Sequence, residues 1–248
     1  MADGGRGSAL RTIAVLAFSV IFVLSLGVPM ILYSLLRRSA ELMFWTVRAS
    51  FAVVLALGGI RLKIEGIENI PTGVCLFAAN HVSDLDPPAV TRAIPRRISV
   101  LAKKELFRIP LVGQALRIAK VVPIDRSSRD SAVTSMEESV RHMREGMSFL
   151  VFAEGTRSPD GRLRHFKKGA FAMAIDAEVQ VVPVSICGMQ KILRKGQWKI
   201  APGEVIIRMG RPVDAREYTQ DRRGELMEEV EAGVAEGLPE DQKPLEDK

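Results

Sequence analysis

"VCLFAANHVSDLDPPAV", Val74 to Val90, passes from six apolar residues into a polar loop and then into a helix start. The run VCLFAA (74–79) has the length and unbroken apolar character of a strand buried on both faces. Pro87 and Pro88 suit a first helical turn, where a missing N–H costs little. The stretch therefore reads strand, loop, helix, the repeating unit of an α/β fold. It leaves His81 just past the carboxyl end of the strand, where open α/β sheets collect ligands. Asp86 follows five residues later, within reach of the imidazole if the loop turns back. A carboxylate on one ring nitrogen fixes the tautomer and leaves the other nitrogen to take a proton. The spacing alone equally describes a turn that happens to contain a histidine.

Five more runs have the same character: ISVLA (98–102), VVPI (121–124), FLVFA (149–153), VVPVSI (181–186) and VIIRM (205–209). Between the third and fourth strands, Val133, Met136, Val140 and Met143 recur at helical spacing, with Asp130 as N-cap and Gly146 as stop. A second helix is expected from Lys168 to Ala177. Continuous strands interleaved with helices predict an α/β fold whose sheet is covered on both faces.

FAEGTRSPDG (152–161) also begins at a strand end. Gly155 permits close backbone approach, the amides after it and Thr156 can donate, and Arg157 offers a planar fork suited to phosphate. An ordinary glycine loop closed by Asp160-Gly161 explains the same residues without a ligand, and no Walker loop is present. LAKKELF (101–107) and PIDR (123–126) each put cations after a predicted strand, so Lys103, Lys104 and Arg126 are expected on the rim that holds His81 and Arg157. An electropositive pocket beside a base suits a phosphorylated nucleophile. RHFKKGAF (164–171) reads mostly as a solvated face, and His142 and His165 have no comparable setting. There is no G-x-S-x-G elbow, no activated-thiol context and no H-E-x-x-H or C-x-x-C metal site. A base without a protein nucleophile points to activation of the substrate's own hydroxyl. Asp84-x-Asp86 as a metal-binding D-x-D is a rival that leaves EGTRS unexplained.

Toward the N-terminus, the 25 residues from Thr12 to Leu36 carry no formal charge. As a helix rising ~1.5 Å per residue they cover roughly 37 Å, against about 30 Å of bilayer hydrocarbon. The block is too long for the core of a cleaved signal peptide, and no clear A-x-A site follows. A second apolar segment, 42–60, is broken by Arg48. Cations on both sides of the first block suit a two-helix hairpin that enters and leaves one leaflet, with Gly27-Val28-Pro29 as its weak point; a single spanning helix is the alternative. Residues 1–61 are thus expected to be membrane-anchoring helices. The net charge of +6 conceals nine acids against two lysines in residues 225–248. The remaining, strongly basic body favours an anionic membrane surface or a phosphorylated ligand. No aromatic-rich nucleic-acid motif appears, so no nucleic acid partner is expected. Residues 225–248 read as an acidic C-terminal tail, with about the last 20 residues frayed. Cys75 and Cys187 lie in apolar runs and read as reduced core thiols.

NHVSDLD (80–86), KKELFRIPLVG (103–113) with PIDR, FAEGTRS (152–158) and VVPVSI resemble, in order, the successive blocks of the glycerolipid acyltransferases. The likeness covers about residues 62–210, and the EGTRS form and short length are most similar to the bacterial 1-acyl-sn-glycerol-3-phosphate acyltransferase branch. Pro123 departs from that pattern, which usually has an aromatic or aliphatic residue before Ile-Asp-Arg. The resemblance implies an α/β domain over 62–224 with a mixed sheet covered by helices. It implies transfer of a fatty acyl group from acyl-CoA or acyl carrier protein to the 2-hydroxyl of lysophosphatidic acid, giving phosphatidic acid, with no metal or other cofactor. His81 is then the general base and Asp86 its orienting partner. Arg157, with Lys103 or Lys104 and Arg126, holds the phosphate, while Glu154, Gly155 and Thr156 shape the acceptor site. The implied place is the bacterial inner membrane, with the catalytic domain on the cytoplasmic face. Another lysophospholipid or lyso-aminolipid acceptor is the enzymatic alternative, and a scaffold bound to anionic lipid the non-enzymatic one.

Overall fold

The computed structural model describes residues 7–125 and 129–245. In chain order the elements begin with α1 (Ala9–Arg37), α2 (Glu41–Leu57), β1 (Ile60–Glu65), β2 (Cys75–Ala79), α3 (Asp86–Ala93), β3 (Ile98–Lys103), α4 (Val112–Ile118) and β4 (Val122–Ile124). They continue with α5 (Arg129–Arg144), β5 (Ser148–Phe152), α6 (Gly169–Asp176), β6 (Gln180–Cys187), α7 (Met189–Ile192), β7 (Gly203–Met209), β8 (Val213–Asp214) and α8 (Arg223–Gly237). The strands form one sheet in the order β1-β7-β6-β2-β5-β3-β4, with β8 pairing the start of β6. Strands β6, β2, β5, β3 and β4 are mutually parallel, whereas β7 runs antiparallel to β6. The sheet is mixed, as expected.

Strand β2 shows why its sequence is continuously apolar. Cys75, Phe77 and Ala79 enter one core, beneath α2 and α3, with Val184, Ile207 and Val90. Leu76 and Ala78 enter the other, with Phe149, Met143, Phe171 and Leu226 from the α5, α6 and α8 side. Cys75 and Cys187 fall in opposite cores, both unpaired, and burial pushes each thiol up to about 11. Pro123 sits in β4 at the sheet edge, where a missing N–H is tolerated, and β4 still pairs with β3 through Ile124.

Three expectations change. The six read strands are joined by β1 and β8. Of the α5 stripe, Val140 and Met143 are buried but Val133 is 48% exposed; the Asp130 side chain lies outside the described residues. The acidic C-terminal segment does not fray through its first half: Leu226, Val230 and Val234, spaced i, i+4, i+8, bury one face of α8 against the sheet.

The N-terminal pair also differs in one respect. Helix α1 runs unbroken through Pro29, and the chain turns at Arg38–Ala40, where Arg38 adopts φ 48° and its N–H caps the Leu35 carbonyl. Gly27-Val28-Pro29 is not the bend, because an internal proline removes one hydrogen bond without reversing the chain. Helix α1 is long and apolar enough to cross a membrane, with mean hydropathy 2.6 over its most apolar window. Yet it lies lengthwise on the protein. At its start the Ser8 N–H donates to the Ile200 carbonyl (2.9 Å), and further along Gly27 faces Leu111 beside α4. Thr12, Val15, Ile31 and Ser34 are buried, while Leu10, Ile13, Leu24, Leu32 and Leu35 form an exposed apolar stripe on the other side.

Candidate active site

Strands β2, β5 and β3 are neighbours and parallel, so the loops leaving their carboxyl ends share one edge of the sheet. Asn80 fixes the first loop: its amide N–H₂ donates to the Ile186 carbonyl (3.2 Å) and its Oδ1 accepts the Ile186 N–H (2.7 Å). The chain then turns through His81 to Asp86, the first residue of α3, with Pro87 and Pro88 behind it as expected. Asp86 is fully buried, and its Oδ2 accepts the Val82 N–H (2.7 Å), the Ser83 N–H (2.8 Å) and the His81 ring at Nδ1 (2.8 Å). Burial pushes this carboxyl up, and the His81 hydrogen bond and the two amides pull it back.

That arrangement decides the tautomer. An oxygen already accepting two amide protons takes a third from the ring, so Nδ1 carries the hydrogen and Nε2 is left as the base. The imidazole stacks on Phe152 with centroids 4.1 Å apart, and its side chain is 11% exposed. Among the described residues no group hydrogen-bonds Nε2.

The second loop is stitched to the first. Glu154 Oε1 accepts the His81 backbone N–H (2.8 Å), the Ser158 N–H donates to the His81 carbonyl (2.7 Å), and Arg157 forms an ion pair with Asp84. Glu154 is almost wholly buried with Oε2 unpartnered, and desolvation raises its carboxyl to about 8, against the lowering by the His81 amide and Arg164. A buried carboxylate that no cation bonds among the described residues is costly to ionise, which favours the protonated form at neutral pH. Gly155 sits at φ +73°, a conformation that calls for glycine, and it faces the movable end of the Lys167 side chain. Thr156 is half-buried between Gly155 and Arg157.

The structure thus joins His81, Asp86, Glu154 and Arg157 in one bonded unit, flanked by Gly155 and Thr156. Lys103 is exposed at the end of β3, and Lys104 pairs with Asp125. Both stand two strands from β2, roughly 10 Å at ordinary strand spacing. Arg126 lies outside the described residues. The two carboxylates of Asp84-x-Asp86 diverge, one to Arg157 and one to His81. Sequence reading missed Asn80, Phe152 and Ser158 as supports of the site. Asn80 had the only available signal, its position directly before His81.

Residues 61–187 match the model of the family described as Acyltransferase. The chain is similar to a 1-acyl-sn-glycerol-3-phosphate acyltransferase of Limnanthes douglasii, 34% identical over 78% of this chain and 69% of the relative. A protein of the same name from Borreliella burgdorferi is 35% identical over 59% of each chain. Among solved structures, the 1-acyl-sn-glycerophosphate (LPA) acyltransferase PlsC of Thermotoga maritima superposes with a TM-score of 0.79 at 30% identity, covering 92% of this chain and 93% of that one.

Proposed function

Since this chain belongs to the acyltransferase family, we propose that it esterifies the free 2-hydroxyl of 1-acyl-sn-glycerol 3-phosphate, giving phosphatidic acid. The donor is a fatty acyl thioester, acyl-CoA or acyl carrier protein, and no other cofactor takes part. One observation carries the chemistry: an imidazole at a strand-end rim with Nδ1 committed to a buried carboxylate and Nε2 bonded by no group among the described residues.

His81 Nε2 takes the proton of the lipid hydroxyl as its oxygen attacks the thioester carbonyl. The imidazolium that forms is stabilised by Asp86 across the 2.8 Å hydrogen bond. When the tetrahedral intermediate collapses, the C–S bond breaks and Nε2 returns its proton to the departing thiolate. Stacking on Phe152 and the amide bond to Glu154 hold the ring and its backbone. Arg157 is the cation within this bonded unit. Its partner Asp84 is 71% exposed, and such surface pairs are worth about 1 kcal/mol or less, so a phosphate dianion displaces the carboxylate at small cost. Lys103 and Lys104 add charge farther along the same rim.

The anchor fits this chemistry as a monotopic element. With one face of α1 packed on the protein and its apolar stripe outward, the α1–α2 hairpin embeds in one leaflet. A lipid acceptor resident there and a water-soluble thioester then meet at the rim, which supports reading the domain as lying on the cytoplasmic face of a bacterial inner membrane. The test is thiol release from acyl-CoA by detergent-purified protein. Release that requires lysophosphatidic acid and yields phosphatidic acid is expected; equal rates with monoacylglycerol would refute the phosphate assignment.

A further inference from the structure

The segment "LRKGQWK" (193–199), between α7 and β7, has no place in the reaction above, yet its composition and placement are unusual. Residues 194–199 are all exposed, and from Met189 to Gly203 there are four cations and no carboxylate. The chain reverses at Gly196, at φ +85°, where the Gln197 N–H donates to the Arg194 carbonyl (3.0 Å). Trp198 is 59% exposed, although burying a large aromatic ring is normally favourable, and the Lys199 ammonium stands 5.4 Å from its centroid.

The loop is fastened at two points. The Thr12 hydroxyl donates to the Trp198 carbonyl (2.8 Å) and accepts the Ile200 N–H (3.1 Å), which fixes the loop to the first turns of α1. The exposed apolar stripe begins there, at Leu10 and Ile13. On the catalytic side, the Lys195 ammonium donates to the Arg157 carbonyl (3.2 Å).

We propose that residues 193–199 are a second lipid-contact element, seating on an anionic bilayer surface through Trp198, Arg194 and Lys199 while Lys195 braces the backbone of Arg157. The proposal rests on reading α1 as embedded in a leaflet. Given that, the loop lies where the apolar stripe meets water, the depth at which tryptophan is enriched. Each cation close to such a surface is worth about 1 kcal/mol, or roughly fivefold in partitioning. An acidic protein would match the charge but leave the exposed indole and the adjoining apolar stripe unexplained. Lipid seating would thereby act on the phosphate-binding side of the site, through the single bond from Lys195.

Tryptophan fluorescence tests this, because the chain has two tryptophans. The full-length Trp45→Phe protein, with Trp198 alone, is placed in nanodiscs of phosphatidylcholine containing brominated phosphatidylglycerol, or brominated phosphatidylcholine alone. Strong quenching by the anionic quencher, weakened severalfold by high salt and by the further pair Arg194→Gln and Lys199→Gln, is expected. A control protein lacking both native tryptophans carries Leu24→Trp on the α1 stripe. Quenching of the control with water-like, unquenched Trp198 would overturn the loop proposal and leave the anchor intact. An unquenched control would overturn the anchor reading and the loop proposal with it. Quenching of Trp198 that is equal with both lipids and indifferent to salt would overturn the anionic part of the claim.

Discussion

His81 and Arg157 lie on loops that are bonded to each other, yet their surroundings are opposite in kind. Around His81 the partners are internal: Asp86 is wholly buried, its Oδ2 holds three N–H donors, and Glu154 and Ser158 fix the backbone on either side of the histidine. Around Arg157 the partner is an exposed aspartate that water and salt can replace. The difference matches the two tasks proposed for these residues. A base must keep one ring orientation through every turnover, because misplacing a reacting atom by an ångström is expensive. A cation that receives a phosphate must exchange partners, and a weak pair serves it better than a rigid one.

The comparison breaks first at His81. His81→Ala is expected to lower kcat at least ~10²-fold, the low end for losing a positioned acid–base group, with little change in KM for lysophosphatidic acid; steady-state thiol release measures both. The Arg157 side responds in KM instead. Arg157→Gln is expected to raise KM for the acceptor about tenfold, in line with losing a charge-assisted hydrogen bond. Asp84→Asn frees the guanidinium, so it is expected to lower that KM up to about fivefold. An unchanged KM in both variants would remove the exchangeable-partner argument.

Glu154 sharpens the internal half through pH. Its folded-state value near 8 lies above the ordinary carboxyl range, so the folded protein keeps a proton that the unfolded chain releases. Stability therefore falls between about pH 5 and pH 8 and levels off above. Asp86, raised by burial, adds to the same trend, and Arg164 opposes it at Glu154. Glu154→Gln is expected to fold and to show a flatter melting temperature across that window. A slope as steep as the native one would place the proton elsewhere.

Much of this was legible in the residues. The buried strands announced themselves by unbroken apolar runs, and His81 with Asp86 by an interval one loop can close. The edge strand β1 did not, because "IRLKIE" alternates with charge and follows directly on the apolar N-terminal helices. Helix α8 was obscured by its acids, though three apolar residues at fourfold spacing carry its packing. The bond from Glu154 to the His81 amide spans 73 residues and uses a backbone donor, so no side-chain pattern encodes it. Nor does any pattern say that Arg157 rests on Asp84, since that contact exists only once β2 and β5 pair.

Nitrogen-15 NMR of the ring-labelled histidines, with the His81 signals identified by their loss in His81→Ala, reads the decisive feature directly. At a pH where the ring is neutral, the geometry predicts its proton on Nδ1 with a bare Nε2, and loss of that preference in Asp86→Asn. A proton resident on Nε2 in the native protein, or a ring indifferent to Asp86→Asn, would contradict it.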